Sequence, residues 1–252
     1  MPLFRRPDLK APPKRCEAIE LELDGEALCV SIRRHPQARR LTLRVRSATR
    51  DVTVTAPPHV SLAAAGDFVR RHREWIRVRL GRLPEVVRFE HGALVPVRGE
   101  PHRIIHLPDA RGTVWLGLDD EGGPALFVAG ESPHVARRVT DHLKREARQD
   151  IATAVQRHAV AVGAKIGRIT LRDTSSRWGS CSAKGDLSFS WRLIMAPTFV
   201  LDYLAAHEVA HRLELNHGPR FWRHVERIFP ARREAEAWLR HHGASLHRYG
   251  AP

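Results

Sequence analysis

Residues 197–215 put the tightest constraint on how this chain can fold. Leu201, Leu204, Ala205, Ala206, Val209, Ala210 and Leu213 make the stretch apolar on nearly every side, so as a helix it belongs in a core. Pro197 stands where a first-turn proline belongs and predicts a helix running to about Leu215. Yet the same stretch carries His207, Glu208 and His211, and enclosed polar groups cost free energy unless each finds a partner. Four residues turn a helix through about 400°, which leaves His207 and His211 about 40° apart on one face, one turn above each other. One cation could satisfy both imidazoles.

Glu208 follows the first of these histidines and can point at a water held on the cation without binding the cation itself. Two His ligands and a Glu base at this spacing are the zincin arrangement, with Zn2+ as the expected cofactor. The chain is rich in both residue types (16 His and 16 Glu in 252 residues), so the spacing arises by chance in about 6% of shuffled sequences. Context therefore has to support it. His217 lies ten residues after the first histidine, and a continuing helix would carry it about 280° around and about 15 Å further along. Asn216, His217, Gly218 and Pro219 instead end the helix, and a turn there can bring His217 back. Three histidines with a fourth position open to water make a catalytic rather than a closed structural metal geometry. The rival third ligands are Glu226, Glu234 and Glu236 on the helices that follow.

The rest of the chain reads as α+β: a strand-rich N-terminal part followed by a zincin-like, mostly helical metallopeptidase part with a small hairpin. Residues 1–17 form a loose basic arm. Alternating apolar positions at Leu28–Ile32, Leu41–Val45 and Val52–Val54 predict strands, and Ser61 caps a helix over 62–82. Phe68, Val69, Ile76 and Leu80, with Trp75 close by, form its apolar side, and Arg70, Arg71, Arg73, Arg77 and Arg79 its basic side. Pro84 ends it. Short strands are expected at Val86–Phe89, Leu94–Val97, Arg103–Leu107, Thr113–Leu116 and Ala125–Val128. The N-terminal part thus covers 18–130 and the metallopeptidase part 133–245. In the latter a long helix runs from Ser132-Pro133 to Val162, closed by Gly163. A hairpin pairs Ile166–Asp173 with Leu187–Trp191 through a turn at 183–186. Helices follow from Gly218-Pro219 and over 232–242. No internal repeat is evident.

Composition bounds the function less sharply. Lys+Arg number 42 against 28 Asp+Glu, a net charge of +14, and 37 of the 42 cations are Arg. Such a balance suits nucleotide or nucleic-acid partners, but the arginines form no single block, which equally fits compositional bias. No apolar run reaches membrane-spanning length, and the segment Met1–Pro7 has no apolar core. Cys16, Cys29 and Cys181 are odd in number and lack CxxC spacing, which fits a reducing, cytoplasmic setting without membrane partners.

Residues 168–229 resemble the YgjP-like family of metal-dependent hydrolases, related to SprT-like and minimal gluzincin-type zincins. The resemblance rests on Arg177-Trp178-Gly179-Ser180-Cys181-Ser182, Gly185, Leu193, Ala196-Pro197, Leu201-Asp202-Tyr203, His207-Glu208-Val209-Ala210-His211 and Asn216-His217-Gly218-Pro219-Arg220-Phe221-Trp222, in order. Arg39-Arg40-Leu41 and Trp75-Ile76 extend it weakly over residues 30–240. It implies that His207, His211 and His217 hold zinc and that Glu208 is the catalytic base. The first-to-third His spacing equals that of metzincins, but Glu214 takes the place of their intervening glycine and no Met-turn signature follows.

Arg177, Trp178, Gly179 and Ser180 are candidates for substrate binding, because small residues before a turn let a substrate backbone approach. Arg177 and Tyr203 are candidates for stabilising a developing oxyanion. A metallopeptidase acting on peptide or protein is the leading expectation. A nucleoside-triphosphate pyrophosphatase using the same metal site, and a DNA-associated SprT-like protease contacting nucleic acid through its Arg-rich surface, are the alternatives.

Overall fold

A computed structural model describes residues 17–46, 50–83, 85–174 and 177–250. The expected arm, apart from Glu17, lies outside the described residues, as do Cys16 and Pro84. The fold is α+β, with three small sheets, six α-helices and a helical C-terminal part among the described residues. It divides into two compact units, Met1–Leu83 and Pro84–Pro252.

The first unit holds strands β1 (Glu17–Leu23), β2 (Glu26–Arg34), β3 (Thr42–Val45) and β4 (Val52–Ala56), then helices α1 (Leu62–Arg71) and α2 (Arg73–Gly81). The sheet order is β1-β2-β4-β3. The β1–β2 turn is Asp24-Gly25, both at positive φ, the conformation that lets two residues reverse a twisted hairpin. Period-two alternation sends Leu21, Leu23, Val30, Val52 and Val54 to one face, where Val69 and Ile76 cover them. Ser61 caps α1 by accepting from the Ala64 amide at 3.1 Å. The helix expected over 62–82 is broken at His72. Its Nδ1 donates to the Phe68 carbonyl at 2.8 Å while its amide reaches back to both Phe68 and Val69, so the turn tightens and a second helix starts. Trp75, expected near the apolar side, is 47% exposed.

The second unit opens with β5 (Leu94–Val97), β6 (Glu100–Leu107), β7 (Val114–Leu118) and β8 (Pro124–Ala129), ordered β5-β6-β8-β7. Both four-stranded sheets have a central parallel pair flanked by antiparallel ones. Both first hairpins turn on two positive-φ residues, here Arg98-Gly99. This likeness is one of strand order, which no residue repeat announces. Val86–Phe89 is not a strand: it contributes one isolated bridge, Val87 to Tyr249.

A short 3-10 turn at Ser132–His134 leads into α3 (Val135–Val162), and Gly163 at φ 65° ends it in a left-handed cap. Its stripe of Val135, Val139, Leu143, Ala147, Ile151, Ala154 and Val155 is buried in the core of this unit. The third sheet consists of β9 (Ile169–Arg172), β10 (Gly179–Cys181) and β11 (Leu187–Ser190), in the order β10-β11-β9. The expected hairpin is thus differently built. Residues 182–186 join β10 to β11, while β9 pairs with β11 in parallel. Trp191 begins a 3-10 turn, Trp191–Met195, that buries its whole length.

Then come α4 (Thr198–Ala210), α5 (Pro219–Ile228) and α6 (Arg232–His242). α4 stops short of Leu215 because Leu213 and Leu215 have no core to enter and remain exposed. The amides of Arg212 and Leu213 take the tighter carbonyls of Val209 and Ala210. α3 packs on α4, and the contact is locked where Arg157 and His158 both donate to Asp202, His158 at 2.6 Å. No described helix is long and apolar enough to cross a membrane.

Candidate metal centre

α4 is almost wholly enclosed, and it presents His207 and His211 one turn apart to the loop that follows it. That loop folds back. The Gly218 amide bonds the Asn216 carbonyl at 2.7 Å, and His217 returns until its Nε2 lies 3.0 Å from His207 Nε2. One nitrogen from each of His207, His211 and His217 lies within 4.8 Å of the others, a group that could hold a metal ion. Phe221 on α5, fully buried, supports all three rings, its centroid 4.5 Å from His211, 4.7 Å from His217 and 4.9 Å from His207.

The donor set fits a cation. Tyr203 donates its hydroxyl to Glu236 Oε1 at 2.9 Å, so its oxygen is left to accept from His207 Nδ1 at 3.3 Å. His211 Nδ1 donates to the Glu214 carbonyl at 3.1 Å. These bonds fix both rings in the tautomer with Nε2 unprotonated. The His207 lone pair then faces the His217 ring nitrogen at 3.0 Å, where either a shared cation or the Nε2 proton of a neutral His217 fits between them. A proton on His207 is disfavoured: burial, with the charges of His211 and His217, pushes its pKa down to about 3. The 3.0 Å between His207 Nε2 and His217 Nε2 is short enough for both to bind one ion, and a His211 nitrogen lies within 4.8 Å of each.

Glu208 lies on the side of α4 that faces β10. It is 4% exposed, and its Oε2 has no hydrogen-bond partner among the described residues. Burial pushes its pKa up to about 8, against the opposing charge of Arg177. Gly179 makes room for it: a Cβ there would come within 2.8 Å of Glu208 Cγ.

The remaining residues singled out in the sequence fall around this point. Trp178 stacks on His247 at 5.0 Å. Ser180 lies opposite Ser188 across β10 and β11. Arg177 is exposed beside them. Tyr203 is buried and turned toward His207 and Glu236. Of the rival acidic ligands, Glu226 and Glu236 both bond Arg232. Sequence reasoning did not single out Arg232 or the support that Phe221 gives the rings. The Tyr203–Glu236 bond joins residues 33 apart and leaves no local signal.

β10 is an edge strand. The Ser190 amide bonds the Trp178 carbonyl and the Ser182 amide bonds the Asp186 carbonyl, which fixes the ladder register. In that register Gly179 and Cys181 turn their backbone N–H and C=O groups away from β11, to the open edge beside Glu208.

A three-histidine cluster next to a buried carboxylate is the kind of site that metal-dependent hydrolases use. The family model described as "YgjP-like, metallopeptidase domain" matches residues 39–242, and the chain belongs to the YgjP-like family. The family implies a metal ion, and the His triad could bind one. Among solved structures the chain is similar to the metallopeptidase zymogen abylysin of Pyrococcus abyssi. The match has 22% identity, covers 37% of this chain and 92% of that one, and has a TM-score of 0.33, too slight a likeness to carry argument. No curated protein matches.

Proposed function

We propose that the protein is a zinc-dependent metallopeptidase of zincin-like arrangement. His207, His211 and His217 hold the ion, Glu208 acts as general base and acid, and all four lie in the 133–245 part assigned to catalysis. The observation that carries the reading is the convergence of three imidazoles at the end of the helix that also carries Glu208, whose enclosed Oε2 has no hydrogen-bond partner among the described residues. Bound zinc supplies Lewis acidity toward a carbonyl oxygen and acidifies water to a pKa of about 7.

The chain's own residues do the rest. Glu208 takes a proton from the attacking water as the new C–O bond forms. It then passes that proton to the departing amide nitrogen as the C–N bond breaks, so one water is consumed and no other reactant is needed. Burial raises its affinity for the proton it takes, and the positive charge of Arg177 opposes that rise. Tyr203, held by Glu236, orients His207. A substrate strand pairing with the open edge of β10 would lie alongside Glu208, with Gly179 and Cys181 binding the peptide backbone and Ser180 facing it only through its side chain.

The test is Glu208→Gln, assayed for peptide hydrolysis and bound zinc together. The expected result is zinc retained at one ion per chain and turnover abolished. Full activity in the variant refutes the assignment.

A further inference from the structure

The sheet that carries β10 has two unlike faces. On one, Phe189 and Leu187 are buried and Gly179 meets Glu208. On the other, strand alternation sets out Ser180 and its cross-strand partner Ser188, with Arg172 on the same side of β9. Here the surface holds a cavity of about 340 Å³ lined by Arg172, Thr174, Arg177, Trp178, Gly179, Ser180 and Ser188. Among the described residues two guanidinium groups and three hydroxyls line it, and no carboxylate does. Neither Arg172 nor Arg177 makes an ion pair or a side-chain hydrogen bond among the described residues, whereas Arg98, Arg192 and Arg232 in the same unit are each paired with acidic groups. The Thr174 hydroxyl donates to the Arg177 carbonyl at 2.8 Å, which leaves its oxygen able to accept.

We propose that this cavity is a specificity subsite for an anionic side chain of the substrate, and that the enzyme cleaves next to Asp or Glu. The proposal rests on the peptidase reading above and on β10 as the strand that receives the peptide. A strand paired on the β10 edge sends alternate side chains to opposite faces of the sheet. Those on the Gly179 face approach Glu208. Those on the Ser180 face pass over the cavity, where a carboxylate meets forked donors from two arginines and hydroxyls from the serines. A Lys side chain in the same place meets only positive charge.

The experiment uses the zinc-loaded full chain on a mixed peptide library, with cleavage sites read by mass spectrometry. It is followed by kcat/KM on three peptides that differ only in Glu, Gln or Lys at the enriched position. The expected preference for Glu over Gln is about tenfold, and it shrinks at high salt because the arginines are exposed. Arg172→Glu is expected to abolish or invert the ratio of Glu to Lys turnover, and Arg177→Gln to reduce it, with thermal melts showing that both variants fold. Cleavage without charge preference, or a preference that both variants retain, overturns the subsite while leaving the peptidase reading intact. Inorganic phosphate that competes at the cavity while peptide charge has no effect also overturns it, in favour of a free-anion site. Turnover of no peptide overturns the peptidase reading, and the subsite with it.

Discussion

Gly179→Ala isolates the fit between the edge strand and the proposed base. A Cβ at this position would lie 2.8 Å from Glu208 Cγ and 2.9 Å from Cδ, with Oε1 nearer still, whereas ordinary contact starts at 3.4 Å. Glu208 must therefore retreat by about 0.6 Å or more. The backbone at Gly179 is not in the left-handed region, so alanine imposes no strain there and the effect is steric. A free carboxylate would swing aside at little cost, but Glu208 is 4% exposed and its Oε2 is already enclosed. Overpacking of this kind costs about 1–3 kcal/mol in stability. For catalysis, a misplacement approaching 1 Å costs up to about a hundredfold, so a fall of about 10- to 100-fold in kcat is expected. KM should change little, because the added methyl points at Glu208 and away from the open edge. The assay is steady-state peptide hydrolysis with zinc stoichiometry and thermal unfolding measured on the same preparation. A folded, zinc-bound Gly179→Ala protein with wild-type kcat would refute the argument that Glu208 is held in place by that contact.

Tyr203→Phe removes the acceptor for His207 Nδ1 and is expected to weaken zinc binding by about tenfold, measured by competition with a chelator. Unchanged affinity would show that His207 needs no such support. Asp202→Asn tests the α3–α4 lock. Burial alone would raise the Asp202 pKa, but the hydrogen bond from His158 and the charges of His158 and Arg157 outweigh it and hold the carboxyl below its usual range. A depressed carboxylate pKa contributes stability above the unfolded value, lost as pH falls through the folded one. The variant should thus be about 1–2 kcal/mol less stable at pH 7, and the gap should close below about pH 4 in denaturant titrations. A gap that stays constant all the way from pH 7 down through the acid range would mean that the charge contributes nothing.

The centre was legible because its parts are close in sequence. His207, Glu208 and His211 fall within one helix turn, and Gly218-Pro219 announces the turn that returns His217. The strands of both four-stranded sheets were legible wherever apolar alternation survives, as at Val52–Val54 and Leu94–Val97. Strand order was not, because pairing β2 with β4 or β9 with β11 in parallel joins segments whose patterns say nothing about each other. His72 breaks a helix through a ring-to-carbonyl bond that no propensity scale encodes. Val86–Phe89 has the composition of a strand, but only Tyr249 is available to pair with it.

β10 shows why the most useful element for function is also the hardest to read. Three residues, Gly-Ser-Cys, are too few for alternation to show, and Gly and Ser carry little strand propensity. The same poverty of side chain is what its position requires. Gly179 leaves the space that Glu208 fills, and a Cβ would intrude on it. The small Ser180 keeps the opposite face low enough for a cavity bounded by Arg172 and Arg177. The net charge of +14 is therefore uninformative when summed over the chain. Several arginines are spent on structure: Arg34 pins Glu17 and the carbonyls after β4, and Arg98 and Arg192 pair with acids. The cations that the proposed subsite would use are Arg172 and Arg177, which make no ion pair among the described residues and border a hydroxyl-lined hollow beside β10. If charge selects the substrate at all, it acts through those two, and reversing Arg172 alone should register what removing an equally exposed arginine such as Arg71 does not.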